Sequence, residues 1–211
     1  MIYEFRNYTM HQGKLPTILD VTEKVSIPIR GDECGICLGI WTAEFGQLNQ
    51  LWHLWSYPDA GERARLRALL AQNHRWNSEV GPKAAPMIAR QDVRLLSPMK
   101  EVVPPKASGG CYELRIYRMA PGTAQRWAQA FRDIMPVREK YSRNVGIWIG
   151  DAPQPNEVLH LWNYPDLLAR TKARTELSKD PEWQNFLTNN SGAIVEMQNV
   201  MLLPVSFSRM Q

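Results

Sequence analysis

The stretches "LWHLWSYPD" at 51–59 and "LHLWNYPD" at 159–166 write one pattern twice in a single chain. The match extends in both directions. "YEFRNY" at 3–8 faces "YELRIY" at 112–117 with an offset of 109, which Gly13 and Gly122 keep. From Gly39-Ile40-Trp41 against Gly146-Ile147-Trp148 the offset is 107. It holds at His53/His160, Trp55/Trp162, Tyr57/Tyr164, Asp59/Asp166, Trp76/Trp183 and Leu95-Leu96/Leu202-Leu203. So many Trp, His, Tyr and Gly matches in register mark a duplicated unit of about 100 residues, an ordinary domain size rather than a solenoid period. The boundaries fall at 1–98 for the first unit, 99–110 for a linker and 111–211 for the second unit. The linker lies within the Pro/Gly/Ser-rich run "SPMKEVVPPKASGG" at 97–110.

Each unit opens on a strand. Tyr3, Phe5 and Asn7 alternate with Glu4, Arg6 and Tyr8, and Tyr112, Leu114 and Ile116 with Glu113, Arg115 and Tyr117. A helix follows, with Leu15, Ile18, Leu19, Thr22, Val25 and Ile29 at helical spacing. Trp127, Ala128, Phe131, Ile134 and Met135 repeat that stripe. Pro28 and Pro136 predict a kink or restart, because proline removes a helical hydrogen bond. Two strands come next, "CLGIWTAEF" and "NQLWHLWSY" in the first unit, "NVGIWIGD" and "NEVLHLWNY" in the second. Asp59 with Glu62 fits a capping box, Asp166 a simple cap, and Asp180-Pro181 a cap with proline in the first turn. "RQDVRLLSP" and "EMQNVMLLP" close the units as strands. The order β-α-β-β-α-β is ferredoxin-like, an α+β unit with both helices on one face of a four-stranded sheet. Tandem units can pack their two bare faces together, within one chain or between two.

Composition narrows the function classes. A chain of 211 residues with 44% hydrophobic and 22% charged residues reads as soluble and globular. It has no apolar run long enough to span a bilayer, and its first residues are charged where a signal peptide is apolar. The expected location is cytoplasmic. The net charge of +4 is dispersed, and Arg63, Arg65 and Arg67 read as a solvated helix face, so no nucleic-acid partner is expected. Cys34 and Cys37 form one C-x-x-C without a second pair, which predicts no zinc. The second unit has Tyr141 and Asn144 there. His11 and His74 have no counterparts and read as surface residues. Metal-ligand spacings, phosphate-binding glycine loops and nucleophile elbows are lacking, so no metal and no cofactor are expected.

The first strand E-[FL]-R-x-Y, the glycine after it, the H-x-W-x-Y strand and the closing leucines and proline resemble the NIPSNAP family. The resemblance covers nearly the whole chain and implies dimeric α+β barrel domains. Eukaryotic members are associated with mitochondria and vesicle handling. Related barrel families include cofactor-free monooxygenases, isomerases and haem-binding enzymes, a breadth that leaves the chemistry to the site itself. Haem is not expected here, because His53 and His160 lie mid-strand between the large neighbours Leu51/Trp55 and Val158/Trp162.

Strand parity sorts the candidate site residues. Trp52/Leu54, Leu159/Leu161 and Tyr112/Leu114/Ile116 are apolar and suit the helices. By elimination, Glu4, Arg6, Tyr8, His53, Trp55 and Tyr57 look away from the helices, as do Glu113, Arg115, Tyr117, His160, Trp162 and Tyr164. The two sets are expected to meet between the sheets. One reading is a polar-aromatic pocket for a small hydrophobic or aromatic molecule bearing oxygen. Arginine would hold a carboxylate, the two histidines would move protons, and Tyr and Trp would sandwich the ligand. The other is a structural core, in which the duplicated sheets form an oligomerisation scaffold and Glu–Arg pairs fix register. A third placement puts a pocket between helices and sheet, near Asn7 and Trp52. A homo-oligomer is expected on either reading.

Overall fold

The alternating segments fold as strands, and both copies follow the expected order. The computed structural model describes residues 1–106 and 109–211; Ala107 and Ser108 of the expected linker lie outside the described residues. The first copy comprises β1 (Ile2–Met10), α1 (Leu15–Val21), α2 (Ile27–Arg30), β2 (Ile36–Phe45), β3 (Gln50–Tyr57), α3 (Ala60–Gln72), α4 (Gly81–Ala84) and β4 (Ile88–Lys100). The second comprises β5 (Cys111–Met119), α5 (Ala124–Asp133), α6 (Met135–Arg138), β6 (Arg143–Ala152), β7 (Glu157–Tyr164), α7 (Leu167–Leu177), α8 (Pro181–Asn189) and β8 (Ile194–Pro204).

Local chemistry sets the element ends. Gly13 and Gly122 take φ of 74° and 78° between strand and helix, where a side chain would be strained. Asp59 accepts the Glu62 amide, Asp166 the Ala169 amide and Asp180 those of Glu182 and Trp183. The reciprocal half of the Asp59 capping box does not form, because the Glu62 carboxylate grips Arg65 instead. Pro28 and Pro136 each stand second in a short helical segment: α2 runs on unbroken from the π-helical turn at Thr22–Ser26, and α6 restarts after Ile134.

The eight strands close into one barrel in the order β1-β3-β2-β8-β5-β7-β6-β4. Each copy supplies a four-stranded sheet, and the seams are antiparallel pairs between copies. Trp41 faces Pro204 along β2–β8, and Leu96 faces Gly150 along β4–β6. The barrel therefore closes within one chain. β4 continues to Lys100, opposite Ile147, so Met99 and Lys100, expected at the start of the linker, are strand.

The barrel interior is apolar. Tyr3, Phe5, Trp41, Trp52 and Leu54 from the first copy pack with Tyr112, Leu114, Trp148, Leu159 and Leu161 from the second. Trp41 and Trp148 are fully buried, each contributing about 2–3 kcal/mol of hydrophobic free energy. The repeated Gly-Ile-Trp follows from this packing. A Cβ on Gly39 would stand 2.2 Å from the Trp41 ring, and one on Gly146 2.5 Å from the Trp148 ring. The indole folds back over the glycine two residues before it.

This packing corrects the parity assignment. The two face sets were grouped properly and turned the wrong way. The apolar sets, Trp52/Leu54 and Tyr112/Leu114/Ile116 among them, fill the barrel. The set with Arg6, Tyr8, His53, Trp55 and Tyr57 faces α1 to α4, and the set with Arg115, Tyr117, His160, Trp162 and Tyr164 faces α5 to α8. A small closed barrel is filled only by its own side chains, so its lumen takes the apolar set. The helices carry arginines of their own and can satisfy a polar face. The inter-sheet pocket and the inter-sheet polar core are both ruled out as placements; the layer between helices and sheet remains. Asn7 and Trp52 lie elsewhere, at one end of the barrel.

Candidate functional site in the first copy

The polar face of β1 and β3 meets the helices through a buried charge cluster. Glu4 is fully buried and paired with Arg63 of α3 through two guanidinium nitrogens, while Arg6 Nη1 lies 3.4 Å from its other oxygen. Arg30 of α2 donates to the Tyr57 hydroxyl (2.9 Å) and the Cys34 carbonyl, and its guanidinium lies 3.4 Å from the Trp55 ring centroid. The second copy repeats this with Glu113, Arg115, Arg170, Arg138 and Trp162. There Asn199 also donates to Glu113. Burial pushes the Glu113 carboxyl up, but Arg170 and Arg115 outweigh it and hold it near 2.

The helix arginines were missed by sequence reasoning. Arg63 and Arg67 are half-buried and turned inward; of the three arginines on α3 only Arg65 is exposed. The signal was present, since Arg63/Arg170 and Arg67/Arg174 keep the offset of 107. Arg30/Arg138 stands at 108, between the two registers.

The copies differ in what lies above the cluster. In the first, a cavity of about 310 Å³ opens between the sheet and the helices. Arg6, Arg30, Arg67, Tyr8, His53 and Trp55 line its polar side, and side chains such as Ile18, Ile27, Leu70, Trp76 and Val80 its apolar side. In the second copy, Trp127, Phe131, Trp183 and Phe186 fill the equivalent space with stacked and edge-on rings 4.6–6.3 Å apart. Trp127 and Phe131 stand at the offset of 109 from Ile18 and Thr22. Two large rings in one copy replace a branched aliphatic chain and a small hydroxyl in the other.

Backbone geometry follows the same division. The offset falls from 109 at Ile18/Trp127 to 108 at Pro28/Pro136, so the first copy has one extra residue there. A π-helical turn at Thr22–Ser26 absorbs it, and a second π turn spans Trp76–Val80. Both turns border the cavity. Widened turns of this kind occur frequently at functional sites.

The polar atoms are also satisfied differently. In the second copy the Trp162 indole N–H donates to His160 Nδ1, and Arg115 to Glu113 and the Tyr117 hydroxyl. In the first copy the corresponding Trp55 Nε1 and Arg6 Nε are buried without partners among the described residues; the Nε2 atoms of His53 and His160 are unpartnered in both copies, as are Glu113 Oε2 and Arg170 Nε in the second. Burial, reinforced by Arg6 and Arg30, lowers the His53 pKa to about 3; burial lowers His160 well below its usual value. His53 is thus neutral at ordinary pH, a hydrogen-bonding group rather than a resting proton carrier.

Other features carry less. The depression of about 830 Å³ at the barrel end is lined mainly by polar residues, some of them bonded to one another, as in Trp52–Gln50, Arg90–Asp92 and Arg90–Gln47. Cys34 lies in a turn and Cys37 at the start of β2, with the Cys37 thiol pushed by burial to about 12. Among the described residues no three His, Cys, Asp or Glu side chains group around a metal position. Among them, too, no helix is long and apolar enough to cross a membrane.

Taken together, the single-chain closed barrel with helices outside and a polar-aromatic layer beneath them is that of a fused dimeric α+β barrel protein. The chain belongs to the NIPSNAP family, whose profile matches residues 3–101 and again 112–209. It is 29% identical to the human Protein NipSnap homolog 3B over 98% of this chain and 84% of the relative. It is 25% identical to the Protein NipSnap homolog of Dictyostelium discoideum, over 97% of this chain and 87% of that one. Among solved structures, a candidate monooxygenase from Lactobacillus acidophilus superposes with a TM-score of 0.69 at 14% identity, covering 96% of this chain and 93% of its own. An anthrone oxidase-like protein gives 0.68 at 7% identity, covering 100% and 94%. These two likenesses show the fold.

Proposed function

We propose that this protein is a small-molecule-binding α+β barrel whose first copy holds the ligand and whose second copy is its closed structural counterpart. The ligand is a largely apolar compound with an oxygen-bearing end, seated between the helices and the sheet. The observation that carries this reading is the contrast between copies. The same polar set is sealed by aromatic rings in one, where Trp162 Nε1 and Arg115 Nε are bonded, and left beneath a cavity in the other, where Trp55 Nε1 and Arg6 Nε are unpartnered. A buried donor without a partner costs about 1–3 kcal/mol, which a ligand acceptor offsets. The volume sits at the lower end of ordinary ligand sites, about 300–1,000 Å³. A scaffold role finds less support, since the two sheets already close on each other within one chain.

The experiment is a thermal-shift and calorimetric panel of small apolar compounds, with 2-naphthol, 2-naphthoate, octanol and octanoate as probes. At least one raises the melting temperature in proportion to its concentration, and the shift vanishes in the Ile18→Trp/Thr22→Phe variant. A panel without any shift, or a shift that survives those substitutions, contradicts the assignment of the site.

A further inference from the structure

We infer that the occupant of this cavity is an anion, a carboxylate carried on an apolar body, rather than a neutral oxygenated compound. The inference rests on the reading of the cavity as a ligand site and deepens it. The cavity lining contains three arginines, Arg6, Arg30 and Arg67, and no aspartate or glutamate. The acid next to it, Glu4, is shared by Arg6 and Arg63, and Arg63 holds it with two nitrogens. Arg30 has only neutral partners, a carbonyl, a hydroxyl and an indole face. Arg67 makes no ion pair among the described residues. Positive charge thus exceeds negative at the edge of a low-dielectric space. The second copy carries the matching arginines under a filled layer; in the first, where the layer is open, an anion can offset the excess, and a guanidinium fork matches the planar carboxylate.

Hydrogen-bond chemistry points the same way. Arg6 Nε and Trp55 Nε1 can only donate, and neither has an acceptor. His53 Nε2, unpartnered like its counterpart His160 Nε2, belongs to a residue that lines the cavity and donates in the tautomer protonated there. The second copy satisfies the two donor-only groups internally: Arg115 uses Glu113 and Tyr117, and Trp162 uses His160. The first copy keeps the donors and forgoes those bonds. An incoming group that offers two acceptors and a negative charge suits them best. Opposite lie Ile18, Ile27, Leu51, Leu70 and Trp76, which suit a hydrocarbon or aryl body.

The test is calorimetry at pH 7.5 and fixed ionic strength, comparing 2-naphthoate with 2-naphthamide and octanoate with octanamide. Each pair keeps its body and changes the head from anion to neutral. The carboxylate of at least one pair binds about tenfold or more tightly than its amide, the size of a charge-assisted hydrogen bond. The pair with the larger difference tells an aryl from an acyl body. Arg6→Gln and Arg67→Gln each reduce the preference to about threefold or less, on the same scale. Arg6 pairs with buried Glu4 and its variant is first checked for folding by circular dichroism; Arg67 is half-buried without an ion pair, and its variant decides the matter if the other unfolds. Amides that bind as well as the carboxylates, or a preference unchanged by Arg67→Gln, overturn the anion assignment and leave the ligand site standing. Four compounds without heat at millimolar concentration count against both.

Discussion

Thr22 and Phe131 hold the same place in the two copies, at the offset of 109, and one borders a cavity while the other fills it. Phe131 lies with its ring 4.8 Å from His160 and 4.6 Å from Trp127. Thr22 turns its hydroxyl back to the Ile18 carbonyl (2.7 Å) and leaves the space above His53 open. A duplicated sequence has kept one polar layer and varied its cover.

Exchanging the covers tests this relationship in both directions. Ile18→Trp with Thr22→Phe closes the first cavity and abolishes probe binding, with the fold retained. Trp127→Ile with Phe131→Thr empties a packed layer and destabilises the protein by at least about 3 kcal/mol, the usual cost of removing a buried aromatic ring. Urea denaturation measures the second effect. A loss below about 1 kcal/mol would mean that the aromatic cluster is not tightly packed.

The buried histidines make stability depend on pH above the range where carboxylates titrate. An unfolded histidine takes a proton near pH 6.5, and folded His53 resists until about 3. Between those values the unfolded chain binds more protons, so stability is full above pH 6.5 and falls as the pH drops. His53 contributes a slope that builds through pH 6.5 towards about 1.4 kcal/mol per unit, or about 1.4 kcal/mol in all between pH 7.5 and 5.5, and His160 acts in the same direction. Urea unfolding between pH 7.5 and 5.5 shows the slope, and His53→Gln with His160→Gln flattens it. A wild-type profile that is flat over that range would contradict the burial of neutral imidazoles.

Much of the fold was readable from the repeat, because Gly, Trp, His and Tyr in constant register leave little freedom in element order. The face assignment was not. Apolarity alone cannot tell a barrel lumen from a helix layer, and Trp52 and Leu54 suit either. The site residues Arg6, His53 and Trp55 were visible as a set, and the duplication showed them twice. Arg63 and Arg67 were hidden because arginines spaced along a helix read as solvated. Thr22 and Ile18 gave no signal by themselves; their meaning lies in the size of Phe131 and Trp127 at the matching positions.

The charge cluster under the cavity has a measurable strength. Arg63→Ala leaves fully buried Glu4 with Arg6 at 3.4 Å and costs about 3–5 kcal/mol. Glu4→Gln with Arg63→Met together cost less than the sum of the two changes, because no buried charge is left alone. A double-mutant cycle by denaturant unfolding gives the coupling. Additive losses would show that the two residues do not interact in solution.

The folded-back indoles require their glycines. Gly39→Ala and Gly146→Ala each place a methyl group 2.2–2.5 Å from a tryptophan ring inside the barrel. Each destabilises by about 1–3 kcal/mol as the ring is displaced. Melting curves decide the point, and a neutral substitution would mean that the ring moves freely.

The account stands most directly on which copy takes the ligand. The chain has eight tryptophans, and Trp55 and Trp162 are the matched pair on the polar faces of the two copies. Titration with 2-naphthoate, followed through the indole N–H signals in 1H–15N spectra assigned by single substitution, reports on both at once. The prediction is that the Trp55 and Trp76 signals shift and saturate at one ligand per chain while Trp162 and Trp183 stay in place. A saturable shift at Trp162, or binding that leaves Trp55 unmoved, would contradict it.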